Sequence, residues 1–131
     1  MQRDGQKITS EGQLIDWPAL LNRFRGDAAF IEKLAKTTLT TQKELPGQIR
    51  EAAQSADLVA VSSLAHKLKS MAGYLESGEL AELAKKAEAF AREGQTDAFE
   101  LALRLADGFE SLLAELARRY PIVERRDGAG G

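Results

Sequence analysis

The sequence predicts an all-α protein, an antiparallel four-helix bundle with a short extra helix at its N-terminal end. Three observations carry the prediction. Apolar residues recur at spacings of three and four from residue 17 to residue 120, whereas period-two alternation never persists and β-branched residues are scattered. Boundary signals at Gly26, Ser77-Gly78 and Gly94 separate the periodic stretches. No repeat of about 20 to 50 residues is visible, which disfavours a solenoid.

The first element follows Asp16. Pro18 is tolerated in a first helical turn, and Trp17, Leu20, Leu21 and Phe24 supply an apolar face before Gly26. Asp27 is placed to cap the second helix, whose inward set is Ile31, Leu34, Thr38, Leu45, Ile49 and Ala52. Pro46-Gly47 interrupts that set, so the helix is expected to kink or break near Leu45. Asp57 caps the third, with Leu58, Val61, Ala65, Leu68, Ala72 and Leu75 at heptad positions a and d, and Leu64 and Met71 widening the stripe. The fourth follows Ser77 and buries Leu80, Leu83, Ala84, Ala87, Phe90 and Ala91. Thr96 opens the last, with Phe99, Ala102, Leu105, Ala106, Phe109, Leu112, Leu113, Leu116 and Tyr120 on one side. Four long helices with short links fold back on one another as a bundle spanning residues 14–120. Residues 1–13 and 121–131, polar or glycine-containing, read as loose ends.

Composition narrows the function. A chain of 131 residues has room for one domain. A net charge of −2 gives no basic footprint for nucleic acid. With no apolar run of about 18 residues and a polar N-terminus, neither membrane spanning nor export is expected. The lack of cysteine rules out disulfides and thiolate metal sites and suits a cytoplasmic location. A single histidine leaves any zinc site short of its usual ligands, so no metal is assigned.

That histidine, His66, is the most informative residue. It lies at heptad position b, about 160° from the centre of the apolar stripe, and so faces water. Its helical neighbours are Ser62, Ser63, Lys69 and Ser70, with Gly73 one turn beyond. These small residues leave a shallow strip that a convex partner can approach, while Lys69 brings an ammonium towards any anion on the ring. Lys67 adds charge beside it. Glu88 stands as far after Ser77 as His66 stands before it, at a similar height in a hairpin. Facing the neighbouring helix, its carboxylate would accept a hydrogen bond from Nδ1 and leave Nε2 free; the competing reading pairs it with Lys85 or Arg92 on its own helix.

The stretch Ala65-His66-Lys67-Leu68-Lys69-Ser70 resembles the Ala-His-x-Leu-Lys-Gly pattern of histidine-containing phosphotransfer domains, the carriers of multistep phosphorelays. Leu75 and Leu80 fall at further apolar positions of that family, and Glu88 at its recurrent Glu or Gln. The resemblance implies that His66 accepts a phosphoryl group at Nε2, that Lys69 neutralises it and that Glu88 orients the ring. It also implies a receiver-domain partner, on a response regulator or hybrid sensor kinase, that supplies the aspartate and the magnesium ion. This chain itself then carries phosphate without a cofactor, binds neither nucleic acid nor membrane, and is a monomer. Ser62, Ser63, Lys67, Ser70 and Gly73 would form the partner surface. Two departures stand out: Ser70 replaces the glycine that usually follows the lysine, and Glu76 replaces a glycine that commonly precedes the next helix.

No glycine-rich phosphate loop is present, so autophosphorylation from ATP is not expected. The alternative reading is a helical adaptor with an incidental surface histidine. A sensor-kinase dimerisation domain fits less well, because that family usually follows its histidine with an acidic residue where this chain has Lys67. The ends suit both a free-standing carrier and a piece of a larger hybrid kinase.

Overall fold

A computed structural model describes residues 13–121. Among them are six helices and no strand: α1 (Trp17–Arg23), α2 (Ala28–Thr41), α3 (Leu45–Gln54), α4 (Leu58–Tyr74), α5 (Gly78–Arg92) and α6 (Asp97–Arg119). The chain thus forms the all-α bundle that the periodicity predicts. Apart from Gln13 and Pro121, the two segments read as loose ends lie outside the described residues.

Helices α3, α4, α5 and α6 form the bundle, α4 and α6 each packing on all three of the others and α3 and α5 on two, with α4 on α5 the most extensive contact; α2 leans on α6, and α1 packs on α2. The expected break in the second helix separates α2 from α3 at Gln42–Glu44, one turn before Pro46. Proline cannot donate to the preceding turn and clashes with it, but it is at ease in a first turn, where Pro46 now sits.

Helix starts follow the sequence signals closely. Asp16, Asp27 and Asp57 each accept from the backbone N–H three residues on, at Ala19, Phe30 and Ala60, over 3.0–3.1 Å. Ser77 and Thr96 occupy the cap positions of α5 and α6 without a side-chain capping bond. The Ser77 hydroxyl is fully buried and has no hydrogen-bond partner among the described residues.

Helix ends share one device that glycine alone does not mark. At α1, α3, α4 and α5 a backbone N–H reaches back five residues: Gly26 to Leu21, Asp57 to Ala52, Ser77 to Ala72 and Gln95 to Phe90. The residue before each of these donors has positive φ, as this closing turn demands: Arg25 (57°), Ala56 (54°), Glu76 (61°) and Gly94 (74°). Only the last is glycine, so three of these stops lacked their usual residue in the sequence.

The inward faces match expectation at most positions, although Leu83, Phe90, Phe99, Leu113 and Tyr120 are only half-buried at the rim of the core and Leu21 of α1 is exposed. Val61, Ala65, Leu68, Ala72 and Leu75 of α4 are buried, as are Leu80, Ala84, Ala87 and Ala91 of α5 and Ala102, Leu105, Ala106, Phe109, Leu112 and Leu116 of α6. Full burial of a Leu or Phe side chain contributes about 1.5–3 kcal/mol, and the alanines let helix axes approach. Packing is tight at Gly108, where an added Cβ would stand 2.6 Å from Leu80 Cδ1. Thr38, expected inward, is buried and satisfies its hydroxyl on the Leu34 carbonyl at 2.9 Å.

Two buried carboxylates depart from the apolar reading. Glu88 belongs to the inner face of α5, and Glu115 lies on the inner face of α6. Glu115 gathers the segment before α1: Oε1 accepts from Leu14 N at 2.6 Å, and Oε2 accepts from Ile15 N at 3.3 Å and from Trp17 Nε1 at 2.8 Å. Trp17 is thereby an anchor, with the Arg119 guanidinium 4.5 Å above its ring.

Candidate functional site

Helices α4 and α5 run side by side from the turn at Leu75–Ser77, and this pairing builds the site. His66 emerges from the water-facing side of α4, its side chain 58% exposed. Across the helix pair Glu88 is buried, with 5% of its surface accessible. The equal spacing about Ser77 brings them together: His66 Nδ1 and Glu88 Oε2 are 2.9 Å apart. Lys69, one turn after the histidine, donates to the other oxygen, Nζ to Oε1 at 2.8 Å. Arg92, one turn after Glu88 on α5, shares Oε2 at 3.2 Å. Both readings of Glu88 therefore hold in part, since it pairs across the hairpin and along its own helix. Lys85 makes no ion pair with it among the described residues.

Electrostatics fix the hydrogen positions. The Lys69 ammonium bonded to Glu88 holds its carboxyl below the ordinary glutamate value, against the opposing effect of burial, and the His66 hydrogen bond lowers it further. A charged carboxylate only accepts, so Nδ1 carries the hydrogen and donates to Glu88. In the neutral ring the lone pair is then on Nε2, which has no partner among the described residues.

The remaining sequence-predicted residues lie where the register put them. Ser63, Lys67, Ser70 and Gly73 are exposed and Ser62 is half-buried, all on the open side of α4. A methyl group at Gly73 would meet nothing within 4 Å, so packing does not require glycine there. Lys67 makes no ion pair among the described residues. Val59 was missed: it lies seven residues before His66 on the same line and is 79% exposed, although an apolar residue beside an apolar stripe reads as core. Arg92 was foreseen only as a rival partner for Glu88; its i, i+4 spacing was the available signal.

Chemically, the site offers one nucleophilic nitrogen in water, an anion that fixes its tautomer and two cations beside it. The site is thus an open helical surface bearing a solvent-facing imidazole oriented by a carboxylate, not an enclosed cleft. The chain matches the family model of the Hpt domain over residues 29–119 and belongs to that family. No curated protein and no solved structure gives a significant match. Membership places the protein among the histidine phosphotransfer modules of two-component phosphorelays, which are phosphocarriers without kinase activity and interact with receiver domains. No helix among the described residues is long and apolar enough to cross a membrane.

Proposed function

We propose that His66 is the phosphoacceptor, taking a phosphoryl group from the aspartyl phosphate of one receiver domain and passing it to the aspartate of another. In the first step the Nε2 lone pair attacks phosphorus, the N–P bond forms and the bond to the aspartate oxygen breaks, releasing the carboxylate. The receiver supplies the aspartate and the magnesium ion. Glu88 keeps the Nδ1 hydrogen in place, so the ring presents Nε2 and stabilises the positive charge it gains on attack. Lys69, already within reach at Glu88, turns its ammonium to the transferred dianion. Ser62, Ser63, Lys67, Ser70 and Gly73 form the low strip on which the receiver sits.

The observation that carries this reading is the 2.9 Å contact of Nδ1 with a buried carboxylate on a ring that is otherwise open to solvent. An incidental surface histidine needs no such partner. The test is incubation with each purified, radiolabelled phospho-receiver of the source organism. Acid-labile label on the wild-type chain and none on His66→Gln is expected; equal labelling of both overturns the assignment.

A further inference from the structure

One cluster outside the phosphoryl chemistry is built with unusual care. Arg23, at the end of α1, reaches the turn between α4 and α5, where its Nη1 donates to Glu76 Oε2 at 2.7 Å. Its guanidinium carbon lies 5.5 Å from the Tyr74 ring centroid and 6.0 Å from that of Phe24. Phe24 packs against Phe30 at 4.9 Å and edge-on against Tyr74 at 5.5 Å. Tyr74 and Phe30 nonetheless remain 41% and 39% exposed. Glu76 holds the arginine from a left-handed backbone conformation, φ 61°, that glycine adopts without strain. That conformation belongs to the closing turn of α4, and from it the Glu76 carboxylate holds the guanidinium beside two rings.

The cluster is continuous with the site. Tyr74 follows His66 by eight residues on α4, about 12 Å along the axis, in line with exposed Lys67. Ser70 and Gly73 keep the intervening surface low. A standard interface buries about 800 Å² on each partner, a patch roughly 30 Å across, so a domain seated over His66 reaches Tyr74. Charge selects the partner: Lys67, Lys69 and Arg92 lie around His66 and Arg23 at the far end, a face suited to carboxylates with an apolar patch between them. Arg23 commits only Nη1 to Glu76 among the described residues, leaving the rest of its donor fork free.

We propose that Arg23, Phe30 and Tyr74 form the second, specificity-determining contact of the receiver-docking face, with Glu76 positioning Arg23 to bind a receiver carboxylate while the rings cover an apolar receiver side chain. This rests on the phosphotransfer reading and adds where the receiver is recognised.

The test uses the full chain, the purified receivers of the source organism and phosphoramidate, a small phosphodonor that labels histidine without docking. Variants are Arg23→Glu, Tyr74→Ala, Phe30→Ala and Glu76→Gly, the last altering no atom of the contact itself. For the first three, affinity for the unphosphorylated receiver is expected to fall about tenfold or more, with KM raised and transfer at saturation kept. For Glu76→Gly a smaller loss is expected, and phosphoramidate labelling stays at the wild-type rate in all four. Variants that bind the receiver as the wild type does, while the wild type takes its phosphate, overturn this proposal alone. A wild type labelled by phosphoramidate but by no receiver overturns the relay reading and this proposal together.

Discussion

His66 Nδ1 meets Glu88 Oε2 at 2.9 Å across the α4–α5 pair, and the same carboxylate holds Lys69 through its other oxygen at 2.8 Å. One buried anion thus sets the tautomer of the His66 ring and holds the Lys69 ammonium beside it, the cation to which the proposed transfer assigns the phosphate. Glu88→Ala removes the acceptor and frees the ring to rotate, so the transfer rate is expected to fall about tenfold or more, the scale on which orienting partners of a histidine act. Glu88→Gln keeps an acceptor oxygen for Nδ1 and should stay nearer the wild type. Rapid-quench transfer assays on the two variants check the order; equal loss in both would mean that charge, not orientation, is the contribution of Glu88.

The same pair carries a pH signature. The carboxyl of Glu88 is depressed below 4.5, chiefly by the Lys69 hydrogen bond and against burial. A group lowered in the folded state adds stability that is present above its unfolded value and is lost as pH falls through the folded one. Wild type should therefore melt above Glu88→Gln near neutral pH, with the gap closing below about pH 4.5, where the carboxyl begins to match the neutral amide. Thermal melts of both proteins between pH 3 and pH 7 read this out, and a gap that widens in acid would reverse the assignment.

Two helical glycines should respond oppositely to alanine. At Gly73 the methyl meets nothing within 4 Å, so Gly73→Ala should stabilise the fold by about 0.5–1 kcal/mol through helix propensity alone. At Gly108 the same methyl would stand 2.6 Å from Leu80 Cδ1, in a buried contact, and overpacking costs about 1–3 kcal/mol. Denaturant unfolding of the pair, with Leu80→Ala as a relieving second change at Gly108, measures both signs.

Glu115 fastens the chain before α1 to the end of α6. Glu115→Ala leaves the Leu14, Ile15 and Trp17 donors without their acceptor, at about 1–3 kcal/mol for each donor that stays buried. The expected result is a lower denaturation midpoint together with a red-shifted Trp17 emission, Trp17 being the only tryptophan. An unshifted emission would show that the segment stays docked without the carboxylate.

Most of the fold was legible because it rests on periodicity and aspartate caps, and both are local. The a and d set of α4, the three Asp caps and the break before Pro46 follow from spacing and proline chemistry alone. The closing residues Arg25, Ala56 and Glu76 carry no compositional mark, because a left-handed residue that is not glycine leaves none, although Gly26 and Ser77-Gly78 still placed the ends of α1 and α4. Glu115 was illegible for a related reason: a charge on an apolar face reads as an interruption until its donors, roughly a hundred residues away in sequence, are brought against it. Within the site, His66 and Lys69 were visible from one helix, and Glu88 needed the hairpin symmetry about Ser77. The Arg23 cluster joins three separate helices and one turn, and no single stretch of sequence displays it.

The central claim is that Glu88 holds Nδ1 so that Nε2 accepts the phosphoryl group. Phosphorus and nitrogen NMR of the chain, labelled with nitrogen-15 in its single histidine and phosphorylated by a receiver, tests it most directly. Coupling of phosphorus to Nε2 of His66 is the predicted result; a phosphoryl group on Nδ1, or on a residue other than His66, would contradict the account.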